Sequence, residues 1–296
     1  MTSQTLELKR SSAQSGPNPG VRQADTVAKL IDTSTCIGCK ACEVACQEWN
    51  DLAPEFTTQA GTYQTLPDME PQFWNLIRFN ELKPEPSPMG LMRPLWLMRK
   101  DQCMHCADPG CLEACPAPGA IVQYANGIVD FQQDQCIGCG YCITGCPFNV
   151  PKFSAKTKKV YKCTLCVDRV TQGLEPACIK ACPTGCLQFG SKSQMLDIAN
   201  KRVKQLKDNG YEHAMVYDPQ GVGGTGVVTV LAHGDKLADY TLPENPTVPM
   251  AVTLWKSPLK WVGNLGIVGG LLIAAIHYLK FGPKDHVDKD LKGDIK

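Results

Sequence analysis

The sequence has almost no net charge: 30 lysines and arginines against 29 aspartates and glutamates leave a formal charge of +1 at pH 7. A chain without a positive excess gives no general electrostatic reason to expect nucleic acid or an acidic substrate as its ligand. The sequence also contains no nucleophile motif and no dinucleotide-binding fingerprint, patterns that mark many substrate-transforming enzymes. We therefore expect the catalytic site to reside in another subunit.

Export signals are also missing near the N-terminus. Residues 1–26 are polar, with serine, glycine and proline clustered between Ser11 and Gly20, and they contain no apolar run. The pair Lys9-Arg10 precedes more polar residues, so it does not form a twin-arginine signal. We predict a polar N-terminal arm over residues 1–26, disordered or draped on the body.

Cysteine is the residue in excess, with 17 copies in 296 residues. In a long chain without a secretory signal, this many cysteines argue for bound metal before disulfides. Sixteen of them form four runs of four: Cys36, Cys39, Cys42 and Cys46; Cys103, Cys106, Cys111 and Cys115; Cys136, Cys139, Cys142 and Cys146; Cys163, Cys166, Cys178 and Cys182.

The third run has the spacing C-x2-C-x2-C-x3-C, followed by Pro147, that bacterial ferredoxins use to hold cubane iron–sulfur clusters. Its first three cysteines let a tight loop wrap one cluster, while the fourth, on a short helix, reaches a neighbouring cluster. Proline then ends the helix. Cysteines this close in sequence cannot all form unstrained disulfides, and zinc sites usually draw ligands from paired knuckles. The spacing therefore predicts iron–sulfur ligands.

The four runs are an internal repeat. Runs one and three share Cys-Ile-Gly-Cys and identical spacing, and runs two and four share the ending Pro-x-Cys-x-x-Ala-Cys-Pro. Four groups of four cysteines match four cubane clusters. The remaining Cys186 is interpreted as a small core residue rather than a ligand. His105, inside run two, is expected to tune or shield a cluster through a hydrogen bond.

The residues between and after the runs predict a mixture of helix and strand. Asn126-Gly127 is a strong hairpin signal. The glycine-rich stretch Gly221–Gly226 lacks the Gly-Lys-Ser/Thr ending of a phosphate loop, so we interpret it as a loop before a strand. The predicted elements are strands at Phe73–Phe79, Leu95–Met98, Ala120–Tyr124, Ile128–Phe131 and Val227–Leu231 and an amphipathic helix at Ser193–Asn209.

An uncharged stretch of 19 residues lies between Lys260 and Lys280. At ~1.5 Å per residue, a helix of this length nearly spans a ~30 Å hydrocarbon core. Gly266, Gly270 and Ala274 form a ridge of small residues suited to packing against another membrane helix. Three aromatic residues lie in or near the ends of the stretch, where interfacial belts are expected: Trp255, Trp261 and Tyr278. We predict one transmembrane helix; the alternative is a soluble polyferredoxin whose last helix is buried.

Lysines set the predicted orientation of this helix. Two lysines, Lys256 and Lys260, precede it, and five follow from Lys280 onward. The positive-inside rule then places the C-terminus in the cytoplasm and the cluster-bearing body on the periplasmic side. A body on that side requires export, which we expect to occur as the passenger of a partner that carries a signal. His277 is assigned to the membrane interface or to packing; haem ligation and a proton relay are its alternatives.

These features together resemble the iron–sulfur (beta) subunits of membrane-bound respiratory formate dehydrogenases of the nitrate-inducible type, over nearly the whole chain. The cysteine pattern is shared with beta subunits of other molybdopterin oxidoreductases. Cys186 departs from the pattern, because alanine is expected there, but no ligand is affected. The resemblance is carried by Cys36-Ile-Gly-Cys-Lys-Ala-Cys, Cys103-Met-His-Cys, Asp108-Pro-Gly-Cys, Tyr161-Lys-Cys-Thr-Leu-Cys-Val-Asp-Arg169, Gly221-Val-Gly-Gly-Thr225 and the single C-terminal span; the last two narrow it to formate dehydrogenase.

The resemblance implies an α+β fold of tandem ferredoxin-like units with a pseudo-twofold repeat, one C-terminal transmembrane helix, and four 4Fe–4S clusters. Runs one and four would share two clusters, as would runs two and three. The implied ligand sets are Cys36, Cys39, Cys42 and Cys182; Cys46, Cys163, Cys166 and Cys178; Cys103, Cys106, Cys111 and Cys146; and Cys115, Cys136, Cys139 and Cys142. The implied segments are an arm at 1–26, one ferredoxin-like part at 27–100 and 150–255, another at 101–149, a transmembrane helix at 256–282 and a cytoplasmic tail at 283–296.

The resemblance also implies a function and partners. The chain would have no catalytic site of its own. It would receive electrons from a molybdenum- or tungsten-pterin (alpha) subunit that oxidises formate. It would pass them singly to a cytochrome b (gamma) subunit and quinone in a bacterial inner membrane. One alternative is the same conductor role in another molybdoenzyme or hydrogenase complex. An alternative of another class is a zinc-stapled structural or nucleic-acid-binding protein, against which the quadruplet spacing and the near-zero charge argue.

Overall fold

The computed structural model describes residues 6–13, 25–53, 61–86, 92–254 and 260–282. The chain divides into two units, Met1–Thr253, which holds every cysteine, and Leu254–Lys296. The strands are β1 (Leu8–Ser11), β2 (Val27–Asp32), β3 (Asn75–Pro86), β4 (Met92–Gln102), β5 (Ile121–Tyr124), β6 (Val129–Phe131), β7 (Lys152–Ser154), β8 (Lys159–Tyr161), β9 (Leu187–Ser191), β10 (Met215–Tyr217) and β11 (Val227–Leu231). The α-helices are α1 (Ala41–Trp49), α2 (Gly110–Ala114), α3 (Tyr141–Thr144), α4 (Val167–Thr171), α5 (Ala177–Lys180), α6 (Lys192–Asp208), α7 (Met250–Leu254) and α8 (Lys260–Phe281).

A four-stranded sheet with the order β10-β11-β2-β9 is packed against α6. β2 runs parallel to β11 and antiparallel to β9. Met195, Ala199 and Leu206 of α6 are buried in the core on this sheet. Ser191 caps the helix through a capping box with Gln194, which satisfies two backbone N–H groups that a helix start leaves open. The predicted helix is confirmed within one residue at each end, as is the strand at β11.

A long antiparallel hairpin of β3 and β4 borders the cysteine-bearing helix α1. The predicted strand at Leu95–Met98 lies within β4, and the one predicted at Phe73–Phe79 is confirmed from Asn75 onward, where β3 begins. The buried carboxylate of Glu43 on α1 accepts hydrogen bonds from the Ile77 N–H, at 2.6 Å, and from the Thr65 hydroxyl, at 2.7 Å. Buried carboxylates require such donors, so Glu43 fixes α1, and the cysteines on it, against the hairpin.

A three-stranded sheet has the order β1-β5-β6. The predicted hairpin around Asn126-Gly127 is confirmed as β5 and β6, and Gly127 has the left-handed φ of 88° that glycine tolerates. β1 lies within the predicted arm, where no strand is predicted, because its sequence Leu-Lys-Arg-Ser has no apolar alternation. Tertiary contacts order it: the Ser12 hydroxyl donates to the Ala117 carbonyl at 2.6 Å, and the Arg10 guanidinium contacts Glu113. Residues 1–5 and 14–24 of the arm lie outside the described residues.

In the second unit, α8 has 22 residues, or ~33 Å of helix. Its stretch Trp261–Phe281 is long and apolar enough to cross a membrane, and none of the side chains in its most apolar window is buried within the chain. This matches the predicted span. Trp255, Lys256 and the tail 283–296, on which the aromatic belt and the orientation partly depend, lie outside the described residues. The division of the first unit into two ferredoxin-like parts stays a prediction.

Candidate iron–sulfur sites

The sixteen cysteines of the four runs lie in four groups, and each group combines two runs. All are free thiols. We call the groups site 1 (Cys36, Cys39, Cys42 and Cys182), site 2 (Cys46, Cys163, Cys166 and Cys178), site 3 (Cys103, Cys106, Cys111 and Cys146) and site 4 (Cys115, Cys136, Cys139 and Cys142).

Site 1 is a surface cavity of about 370 Å³ lined by all four of its cysteines. Cys36 and Cys39 lie in a loop that turns at Gly38, where φ is 65°. Cys42 follows in the first turn of α1, and Cys182 comes from the residues after α5. α1 and α5 pack against each other, so run four delivers its last thiol to the loop of run one.

Site 2 is a cavity of about 280 Å³ lined by its four cysteines. Cys46 lies one helical turn beyond Cys42 on α1, and Cys178 lies on α5, one turn before the thiol given to site 1. Burial raises the pKa of the Cys46 thiol to about 12. At Cys178 burial acts in the same direction, but the ammonium groups of Lys29 and Lys100 and the hydrogen bonds to the sulfur together hold the pKa of that thiol below its ordinary value.

Site 3 is a cavity of about 340 Å³ lined by its four cysteines. His105 is fully buried in its wall, with a left-handed φ of 47°. Its backbone N–H donates to the Cys103 Sγ at 3.5 Å, and its Nδ1 accepts from the Val129 N–H at 3.1 Å. The imidazole is thus held in place beside the ligand loop. Its effect on a cluster stays a prediction.

Site 4 combines the loop before α3 with Cys115, which follows α2. Burial and the neighbouring thiols Cys115, Cys136 and Cys139 raise the pKa of the Cys142 thiol to about 12, so the four sulfurs lie within electrostatic reach of one another. Gly138, at φ 70°, turns the loop, and a Cβ there would lie 2.0 Å from the Lys158 carbonyl oxygen. Only glycine fits this position.

The packing of α2 on α3 joins runs two and three. A Cβ on Gly110 would lie 2.2 Å from the Gly145 carbonyl oxygen, and one on Gly145 would lie 2.5 Å from the Gly110 carbonyl oxygen. The two backbones therefore touch where both residues are glycine. This contact brings Cys115, the last cysteine of run two, beside the first three cysteines of run three. It likewise brings Cys146, the last cysteine of run three, beside the first three of run two.

Each of the four sites, with its four thiols, fits an iron–sulfur cluster. In sites 1 to 3, four sulfurs from two runs surround one cavity, and an all-sulfur donor set is the set that 4Fe–4S clusters use. Burial raises the pKa of several of these thiols, including Cys142 and Cys166. Such thiols ionise only when a cation offsets the charge, and cluster iron supplies one.

Three buried lysines line these cavities and are not found by sequence analysis. Lys29 is fully buried in β2, Lys100 is 2% exposed in β4, and Lys162 is 3% exposed next to Cys163. Lys29 and Lys100 line site 2, and Lys162 lines site 3. Only Lys29 has a signal in the sequence that indicates its burial, because it lies inside the otherwise apolar strand Val-Ala-Lys-Leu-Ile. A lysine at an inward position of a strand is rare unless paired.

Cys186 is buried, at 5% exposure, and belongs to a hydrophobic core cluster, as expected of a small core residue; its exclusion from the ligands stays a prediction. It also lines site 1, with its Sγ 3.5 Å from that of Cys182. Its place beside a ligand results from the turn after α5, which sequence spacing alone does not reveal.

Comparison with known proteins agrees with this geometry. Two 4Fe–4S dicluster domain models match residues 35–120 and 94–192, and a model described as formate dehydrogenase N, transmembrane, matches residues 248–290. The formate dehydrogenase iron–sulfur subunit of Haemophilus influenzae is 53% identical over 98% of this chain and 92% of its own length. The chain belongs to the family of formate dehydrogenase iron–sulfur subunits. The nitrate-inducible subunit of Escherichia coli is 50% identical, over 98% of both chains, and the formate dehydrogenase-O subunit of the same organism is 50% identical over 96% of this chain.

Membership of the formate dehydrogenase iron–sulfur subunit family settles several predictions. The two dicluster domains account for four 4Fe–4S clusters and confirm the tandem ferredoxin fold with mixed helix and strand. The chain is an electron-transfer subunit of an oxidoreductase complex, without a catalytic site of its own. The transmembrane-domain match and α8 confirm a single span associated with the inner membrane. Its partners in the complex are catalytic and membrane components.

Proposed function

We propose that this chain receives electrons from a molybdenum- or tungsten-pterin subunit that oxidises formate. It passes them to a cytochrome b subunit, which delivers them to quinone. Formate gives carbon dioxide, one proton and two electrons, and quinone takes up two electrons and two protons. Each bound cluster accepts and passes on one electron at a time. The chain's own residues hold the clusters in series, exclude water from them and present the two ends of the series to partners.

The observation that carries this proposal is the exposure of sites 1 and 4. Ile37 and Cys39 of site 1 are exposed, and so are Ile137 and Cys139 of site 4. The two Cys-Ile-Gly-Cys loops thus present an apolar side chain and a thiol to solvent. All four cysteines of site 2 are under 9% exposed, as are Cys103 and Cys111 of site 3, whose other two cysteines are half-buried. Large exposed apolar side chains mark interaction surfaces, so each loop fits docking of one redox partner.

The ligand sets of sites 1 to 4 form part of the proposal. Their support is that the thiols of runs one and four share two cavities through α1 and α5, while runs two and three meet through α2 and α3. This is the crossing of fourth thiols known from ferredoxins with two clusters.

We further propose that the cluster-bearing unit lies on the periplasmic side of the inner membrane and the C-terminus in the cytoplasm. The excess of lysines after α8 supports this orientation. We expect protease added to intact spheroplasts to digest an epitope inserted after Leu6 and to leave an epitope after Lys296 intact. The converse pattern would place the clusters in the cytoplasm.

The function is tested by purifying the native complex from detergent-solubilised membranes through a tag on this chain. We expect a pterin-containing subunit, a haem-containing membrane subunit and formate-dependent reduction of quinone. The iron assigned to this chain should be about sixteen atoms. A complex with this iron content but without formate activity would favour another molybdoenzyme or a hydrogenase as the partner.

A further inference from the structure

We infer that Lys29, Lys100 and Lys162 are fixed positive charges that raise the reduction potentials of the clusters at sites 1 to 3. The inference rests on the proposed ligand sets and adds to them a cause of the potentials at these three sites. Its basis is the position of three buried ammonium groups among the cysteines.

Lys29 provides the closest contact. Its Nζ lies 3.2 Å from the Sγ of Cys178 and 3.0 Å from the Oε1 of Gln102. The side chain is fully buried at the centre of β2. An ammonium group donates hydrogen bonds only, so the sulfur of Cys178 is its acceptor. N–H···S bonds to ligand sulfur are among the factors that set cluster potentials.

Lys100 extends the positive charge to site 1. Its Nζ lies 2.6 Å from the same Gln102 Oε1 that accepts from Lys29, so one amide oxygen serves two ammonium groups. Lys100 lines both the site 1 cavity and the site 2 cavity. It therefore lies between two clusters and interacts with both.

Lys162 occupies the corresponding place between sites 2 and 3. Its Nζ donates to the backbone carbonyls of Val129, at 2.5 Å, and of Cys163, at 2.9 Å, and lies 4.9 Å from the centre of the Phe131 ring. It lines the site 3 cavity and neighbours Cys163 of site 2 in sequence. The carbonyls accept two of its three N–H donors and leave its net charge in the interior.

These three lysines lack a carboxylate salt-bridge partner in the part of the chain that the structure describes, whereas the buried Lys192 pairs with Asp218 at 2.7 Å. A buried charge without an opposite charge is strongly unfavourable. The Asp130 carboxylate favours the charged form of Lys162. Thiolate-ligated clusters are anionic, so they provide the remaining negative charge beside the three lysines in a low-dielectric interior.

The consequence is a higher potential at each site that these lysines line. Reduction adds negative charge to a cluster, and a fixed ammonium beside it favours that charge, so the potential rises. Sites 1 to 3 are therefore expected to hold electrons more tightly than they would without these lysines.

The test is a potentiometric titration of the purified complex, followed by electron paramagnetic resonance, in Lys29→Met and in the wild type. Methionine has a similar length and no charge. We expect one of the four midpoint potentials to fall. At a fixed ambient potential, the ratio of reduced to oxidised cluster should then drop at least tenfold. For a one-electron couple, a tenfold change in this ratio corresponds to a shift of about 59 mV in midpoint potential. Lys162→Met should lower a different potential most.

Three comparisons make the test decisive. Lys29→Arg keeps the charge and should keep the potential near the wild-type value, and Lys201→Met, which removes an exposed ammonium from α6, should change none. If Lys29→Met takes up too little iron, Lys29→Gln is titrated instead. Unchanged potentials in a fully loaded uncharged variant, or an equal fall in Lys29→Arg, would overturn the inference. A wild-type complex without four clusters would instead refute the ligand sets.

Discussion

Replacing Cys46 with alanine is expected to lower the iron bound by this chain from about sixteen atoms to about twelve and to abolish formate-driven quinone reduction. The cluster that is lost is the one at site 2, although Cys46 belongs to the same run as three ligands of site 1. Cys42 and Cys46 lie one turn apart on α1, and they line different cavities. Since the clusters conduct in series, the loss of one interrupts transfer to quinone, while dye reduction by the catalytic partner remains.

Two control variants accompany this prediction. Cys42→Ala should also remove about four iron atoms, but it should eliminate a different paramagnetic signal, that of the site 1 cluster. Cys186→Ala removes a thiol 3.5 Å from that of Cys182 without removing a proposed ligand, so it should keep about sixteen irons. If Cys46→Ala and Cys42→Ala eliminate the same signal, the ligands do not cross between runs.

The local part of this architecture follows from the sequence because its causes are local. The spacing of the cysteine runs, the Asn126-Gly127 turn and the apolar face of α6 each depend on residues within a few positions of one another. The resulting hairpin and helix occur within one or two residues of the prediction. The same holds for α8, whose length and apolar composition predict a span without reference to any other part of the chain.

The remaining features depend on contacts between distant residues, and the sequence gives little indication of them. Spacing shows that a fourth thiol leaves its own loop, but only the family resemblance implies which run it joins. Lys29 meets Cys178 across 149 positions, and β1 is ordered by contacts of Arg10 and Ser12 with residues about 100 positions away. Neither a lysine in an apolar strand nor a polar tetrapeptide identifies its partner, because the partner is set by tertiary structure.

Replacing both Gly266 and Gly270 with leucine is expected to detach the chain from its membrane partner while leaving α8 in the membrane. Nothing in the described structure lies within 4 Å of the Cβ that either residue would gain. The leucines therefore cause no clash within the chain, and they make the helix more apolar. If the small-residue ridge packs against another helix, overpacking there costs ~1–3 kcal/mol, which weakens association by about five- to 150-fold.

The measurement is the haem that copurifies with a tag on this chain, relative to its iron. We expect the ratio to fall roughly tenfold in the double variant, with about sixteen irons retained and the chain still in the membrane fraction. Val268→Leu is the matched control, because residue 268 lies on the opposite side of the helix from the ridge. An unchanged ratio in the double variant would show that the ridge is not the contact. Loss in both variants would mean that α8 binds its partner on more than one face, since leucine at either face then meets a packed surface.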